Sequence, residues 1–372
     1  MANKVDKDKK GVYIWYSGAT DVTGKKLAEA LDVSHGDKSP NDPSIGLVIG
    51  WGAKIGKPYA KHSIDLGACS VLNHPGSIAL NRNKLEALLL MEKYGVSVAP
   101  FVEAESVLKS IETNGSKIVL PLIGRTKYHQ GGKGFWNCPT VTHVKAAMDE
   151  GAGYFQNMIE IKDEYRLHTF GTKVIYAVKK VKRTTEEMED AYIKHEMERQ
   201  ISLSSKNGDE LDKKTMEIFL RRQAKKFAQD GANMLIRSNR LGWKFVKVKT
   251  VDKKLESEAV KSLKSIGLDF GAVDCCIDVK GNPFIIEVNS GPGLEETTFD
   301  LWVKEFSSSI ETIISPKKAK SILGNLFQAK ETKSSPSKDA LVAKVDLMKQ
   351  MVDAADDHEA SVLDKVFSKM FG

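Results

Sequence analysis

The sequence predicts a mixed protein, α/β at its start and α+β after it, on three observations. Short apolar runs alternate with helical patterns over residues 11–80. The stretch EYRLHTFGTKVIYAVKKVKR predicts two strands about Gly171-Thr172. GLDFGAVDCCIDVKGNPFIIEVNSGPGL, from Gly267 to Leu294, holds two further β-rich runs flanking a hairpin turn at Lys280-Gly281.

GVYIWY at 11–16 is an apolar run followed by Ser17-Gly18, and a helical pattern starts near Val22. GLVIGWG at 46–52 and CSVLN at 69–73 are buried-strand candidates. Gly24, Gly50, Gly52 and Gly56 do not fit the G-x-G-x-x-G spacing, which excludes a dinucleotide fingerprint. Arg82 to Tyr94 has Leu85, Leu88, Leu89 and Glu92 at helical spacing, with Gly95 as its cap. SKIVLPL at 116–122 is strand-like and leads to the Gly-rich HQGGKGF; FQNMIEI at 155–161 is a connector. Residues 186–230 predict two helices broken by SSKNGDE, the second with a stripe of Met216, Phe219, Leu220 and Phe227. A last helix runs from Leu301 to Ile314.

Beyond it, residues 315–339 are rich in Lys, Ser and Pro and predict a flexible linker. Residues 340–372 then carry Val345, Met348, Val352, Ala355, Val362, Val366 and Met370 at helical spacing. That amphipathic helix is expected to pack on its own domain, self-associate or dock a protein partner.

The composition of 41% hydrophobic and 28% charged residues over 372 positions is that of a soluble globular chain of two or three domains. No apolar run approaches the roughly 20 residues needed to span a bilayer. The opening MANKVDKDKK (residues 1–10, expected to be disordered) lacks an apolar signal core. Cys69, Cys138, Cys275 and Cys276 show no zinc spacing, so reduced thiols and a cytoplasmic location are expected. The net charge of +7 is moderate and partly local to the Lys-rich 316–338, which argues against nucleic-acid binding.

The chemistry concentrates in the last hairpin. Glu287 and Asn289 are two apart in a strand and share a face. A turn centred between Lys280 and Gly281 sets Asp274 opposite Glu287 on that face. Opposed carboxylates destabilise a sheet unless a cation stands between them. Asp, Glu and Asn oxygens suit Mg²⁺ carrying substrate phosphates. Upstream, RTKYHQGGKGF supplies the cation Arg125 and glycines that let backbone approach phosphate.

Asp274, Glu287-Val288-Asn289 and the following Ser290-Gly291-Pro292-Gly293-Leu294 resemble the ATP-grasp superfamily, in the branch holding ribosomal protein glutamate ligase and D-alanine–D-alanine ligase. The resemblance runs from about Asn81 to Phe306. It implies an ATP-grasp fold, two α+β subdomains clasping ATP (81–155 with the Gly-rich loop, 156–314 with the metal site), after a small α/β domain over 11–80. It implies Asp274, Glu287 and Asn289 as ligands of two Mg²⁺, or Mn²⁺ in their place. ATP phosphates would meet Lys84, Arg125, Gly132 and Gly134. Gln156, Asn157 and Met158 would hold adenine, and Glu164 the ribose. Arg237, Ser238 and Asn239 match the segment touching ATP and the reacting carboxyl. Arg166 and Arg240 are the implied catalytic cations, on the acyl-phosphate or γ-phosphate and on a tetrahedral oxyanion. His168 is expected to be a hydrogen-bonded strand residue. The implied activity is carboxylate–amine ligation through an acyl-phosphate, with an amino acid, peptide or protein terminus as substrate. The alternative is a catalytically weak nucleotide-binding module that uses its tail for assembly.

Overall fold

The computed structural model describes residues 11–314 except 41, 43, 55–68, 130–132 and 208–211. Gly132, the first ten residues, the linker and the amphipathic tail therefore lie outside the described residues.

Three sheets carry the described chain. The first is parallel, in the order β2-β1-β3-β4. It is built from β1 (Val12–Tyr16), α1 (Val22–Leu31), β2 (Ser34–Gly36), β3 (Leu47–Trp51) and β4 (Ser70–Leu72). VYIWY and LVIGW are buried almost throughout, as strands covered on both faces must be. Asp21 starts α1 by accepting from the Gly24 amide. Two helices follow, α2 (Pro75–Arg82) and α3 (Lys84–Lys93), with Asn83 ending one and capping the other. The predicted helix is α3; α2 was not foreseen, because its mixed sequence has no strong apolar period.

The second sheet is antiparallel, in the order β5-β8-β6-β7. Its elements are β5 (Phe101–Glu103), α4 (Val107–Glu112), β6 (Leu122–Arg125), β7 (Phe135–Cys138), α5 (Val141–Asp149) and β8 (Tyr154–Asn157). The strand expected over 116–122 begins only at Leu122. Pro121 has no N–H for a ladder, and Val119 is exposed.

The third sheet has five antiparallel strands, in the order β11-β10-β9-β12-β13. It comprises β9 (Ile161–Phe170), β10 (Lys173–Lys182), α6 (Thr185–Asn207), α7 (Lys213–Asp230), β11 (Trp243–Lys247), α8 (Lys253–Ser265), β12 (Phe270–Asp278), β13 (Pro283–Asn289) and α9 (Glu296–Ile314). One face, with Leu167, Val273, Cys275, Ile285 and Val288, packs on Leu255, Ala259 and Leu263 of α8. On α7 the buried residues are Leu220, Ala224 and Ala228, and Phe219 is exposed, so the expected stripe is shifted by one helical position toward the alanines.

The first and third sheets share one core. Trp51 of β3 stacks on Phe270 at 5.7 Å and meets Trp302 edge-on at 5.4 Å. Asn73, just after β4, is fully buried in a left-handed turn with φ of 55°. Its Oδ1 accepts from the amides of Asp269 (2.7 Å) and Phe270 (3.1 Å), and its Nδ2 donates to the Phe270 carbonyl. Further along the seam, the Gly52 amide donates to Ser290, and a Cβ on Gly291 would stand 2.8 Å from the Gly52 nitrogen. Only glycine permits that approach. The loop after Asn289 is thus fixed against the end of β3.

Candidate active site

The face of the third sheet opposite α8 holds the charged residues. Asp274 pairs with Glu287 across the β12–β13 ladder. The turn is centred one half-step earlier than its sequence suggests, with Ile277 opposite Pro283 and Cys275 opposite Ile285. A one-residue bulge at Ile286 then restores the pairing of the carboxylates. Asn289 closes the group: its Nδ2 lies 3.3 Å from Glu287 Oε1 and 3.4 Å from Asp274 Oδ2.

A counter-ion from the protein meets Asp274. β12 lies between β13 and β9, which places Arg166 opposite Asp274. Arg166 donates from Nε (2.7 Å) and Nη2 (2.8 Å), a bidentate pair. Burial opposes the charge on Asp274, but Arg166 and then Lys180 hold its carboxyl well below the usual carboxylate range. Lys180, on β10, also pairs with Glu164 on β9. Burial lifts the Glu164 carboxyl, and Lys180 acts against that lift. Arg237 approaches Glu164 to 3.8 Å, donates to the Ile161 carbonyl and lies over the Trp243 ring. Ser238 begins a short turn over Asn239–Leu241, whose Asn239 side chain accepts from Arg183. The Arg240 side chain lies outside what the structure describes.

His168 shares the face of Glu164 and Arg166 but belongs to the core. Its Nδ1 accepts from Trp302 Nε1 at 3.1 Å. Burial, then Arg166, lower its pKa to about 4. A neutral, enclosed imidazole of that kind is not placed for proton transfer, in line with the sequence expectation.

A cleft runs between this face and the second sheet, lined among others by Asn81, Lys84, Arg125, Tyr154, Gln156 and Glu287. Lys84, at the start of α3, donates to the Val288 carbonyl at 3.2 Å and stands 4.0 Å from Glu287. Arg125 ends β6; its Nη2 donates to His129 Nδ1 at 2.8 Å, and its guanidinium lies over Phe135. Gly134 has φ of 60°, and a Cβ there would strike Thr126 Oγ1 at 2.3 Å. Gln156 on β8 reaches the cleft. The Asn157 side chain instead braces the preceding segment, accepting from the Val119 amide and donating to the Lys117 carbonyl. Met158 follows, its amide bound to the Pro121 carbonyl.

The structure therefore brings together Lys84, Arg125, Gln156, Arg166, Asp274, Glu287 and Asn289 around one cleft and sheet face. Asn157 is turned to internal bonding. Sequence reasoning missed Lys180, His129, Tyr154 and Asn81. Among the described residues no three His, Cys, Asp or Glu side chains form a metal cage; the set here is two carboxylates and an amide. Such oxygen donors, converging beside two cations, fit a magnesium ion that arrives with phosphates and keeps several waters. Among the described residues no helix is long and apolar enough to cross a membrane.

No family model and no curated protein matches the chain. Among solved structures it is similar to the ATP-grasp ligase PsnB complexed with minimal precursor, at TM-score 0.50 and 13% identity, covering 82% of this chain and 99% of that one. PsnB with minimal precursor, Mg and ADP matches at TM-score 0.50 and 12% identity, over 85% and 100% of the two chains. D-alanine–D-alanine ligase from Bacillus anthracis matches at TM-score 0.49 and 11% identity, over 82% and 95%. The likeness to PsnB is one of fold: this chain has the ATP-grasp fold.

Proposed function

We propose, on the premise of the ATP-grasp fold, that the chain is an ATP- and Mg²⁺-dependent carboxylate–amine ligase. One observation carries the reading: Glu287, which the Asn289 amide joins to Asp274, lines the cleft that also holds Lys84 and Arg125. Asp274, Glu287 and Asn289 would hold the metal, which would neutralise phosphate charge during transfer. Lys84 and Arg125 would bind the phosphate chain from the opposite wall. Gln156 and Met158 would face adenine at the β8 connector, and Glu164 the ribose.

In the first step a carboxylate oxygen attacks the γ-phosphorus, and the bond to the ADP oxygen breaks. Arg166, freed in part from Asp274, would stabilise the acyl-phosphate oxygens, and Arg240 the later oxyanion. An amine nitrogen then attacks the carbonyl carbon; phosphate departs with the C–O bond pair, and the amine proton goes to solvent. The products are an amide, ADP and phosphate. An amino acid, a peptide or a protein terminus would supply the reacting groups. A binding module without chemistry has less need of the three oxygen ligands.

The test is ADP release by the full chain, screened with amino acids, polyamines and peptides, and repeated for Glu287→Gln. Substrate-dependent ADP release should fall at least about 100-fold in the variant while its thermal transition stays in place. Wild-type turnover in folded Glu287→Gln would remove the metal assignment.

A further inference from the structure

His129 has no task in the reading above, yet it lines the same cleft. Its Nδ1 is 2.8 Å from Arg125 Nη2, and its Nε2 is 3.3 Å from the Tyr154 hydroxyl. A guanidinium only donates, so Nδ1 is the acceptor and Nε2 carries the hydrogen. The ring is neutral: burial first, then Arg125 and Lys84, lower its pKa to about 3. The charged and titratable groups lining the cleft with it are Arg125 of β6, Lys84 of α3, Tyr154 of β8 and Glu287 of β13.

The polar inventory of this cleft is unbalanced. Two cations converge on it, and one of them shares its charge with Glu287 at 4.0 Å. Arg125 Nε is buried and has no hydrogen-bond partner among the described residues. A buried donor without an acceptor is costly, and an anionic oxygen would satisfy it. The same anion would neutralise Arg125 and Lys84, the two charges that disfavour an imidazolium at His129. It would also give Nδ1, once released from Arg125, an acceptor to donate to.

We propose that His129 is a polyphosphate-contacting residue that takes up a proton from solvent as phosphate enters between Lys84 and Arg125. The proton returns to solvent when the phosphate leaves, and no covalent bond changes. Binding of the phosphate chain is then linked to pH through a residue outside the metal hairpin. The inference deepens the nucleotide-site reading and rests on it only for the identity of the anion.

The experiment is calorimetric titration of the full chain with ADP and, separately, with tripolyphosphate. Runs at about pH 6.5 in buffers of different ionisation enthalpy give the number of protons taken up. Wild type should take up about half a proton or more beyond His129→Gln, and the difference should vanish by about pH 8.5. Affinity should fall about tenfold in the variant at the lower pH and converge at the higher. Gln keeps an acceptor for Arg125, and a thermal melt shows that the variant is folded. Equal proton counts in the two proteins, with ADP bound by both, overturn the role of His129 and leave the nucleotide reading intact. Proton-linked tripolyphosphate binding without ADP binding keeps His129 and discards the nucleotide. Binding of neither overturns both.

Discussion

Acid should destabilise this protein through His168, by an amount its surroundings define. The ring is 4% exposed and accepts from Trp302 at 3.1 Å. Its pKa is lowered from 6.5 to about 4, by burial first and Arg166 second, against a smaller opposing effect of Asp274. Above the unfolded value of 6.5 the ring is neutral in both states and contributes nothing to the pH dependence. Between 6.5 and about 4 the unfolded chain binds a proton that the folded chain refuses, so stability falls as pH falls. Below about 4 both states bind it and the loss levels off. The gap between the two values corresponds to about 3 kcal/mol in total. His168→Gln keeps an acceptor for Trp302 and removes the titration. Urea unfolding followed by circular dichroism, near pH 7 and near pH 4.5, should show wild type losing about 2 kcal/mol more than the variant. His129, also lowered, contributes to both proteins and cancels in the difference. Equal losses in the two would mean that the ring is solvated or already charged in the fold, and the burial argument would fail.

Two further outcomes are expected. Arg125→Ala should weaken ADP binding about 10- to 100-fold by calorimetry while the thermal transition moves little, since the side chain donates mainly into the cleft; unchanged affinity would make Arg125 an ordinary surface cation. Asn73→Ala leaves the Asp269 and Phe270 amides without their acceptor and forces Ala into φ of 55°, so it should cost about 3 kcal/mol of unfolding free energy. Near-wild-type stability in that variant would show that the seam is held by the aromatic cluster alone.

Strands β1, β3 and β4 of the first sheet, the β9–β10 pair and the Asp274–Glu287 pairing were legible because apolar runs and alternation report burial directly; β2, the short polar Ser34-His35-Gly36, carries no such run. What local pattern cannot convey is which strands become neighbours. Arg166 meets Asp274 only because β12 inserts between β9 and β13. Lys180 was hidden for a subtler reason. A regular hairpin about Gly171-Thr172 sets Lys179 opposite Glu164 and turns Lys180 to the other face. A bulge between Val174 and Tyr176 shifts the register by one, and Lys180 comes round to the carboxylate. In the β12–β13 hairpin a bulge likewise offsets the turn, there in favour of the expected pairing. His129 gave no signal, since a Gly-rich loop directs attention to its glycines. Helices such as α4, α5 and α8 have short or polar sequences whose burial is set by the sheets they cover.

The seam between the first and third sheets also bears on how the chain is made. Trp51 completes its packing only against Phe270, Trp302 and Phe306, some 250 residues downstream for the last two. At roughly 5–20 residues per second a ribosome takes roughly 10–50 s to supply them. During that interval α1 covers part of the indole and its strands, but the aromatic side has no partner, and the first sheet is a folding intermediate in waiting. The stretch that looks most like a separate small domain is therefore finished last. Cutting the chain after residue 80 would yield a fragment with a bare aromatic edge, prone to associate with other copies before it could fold.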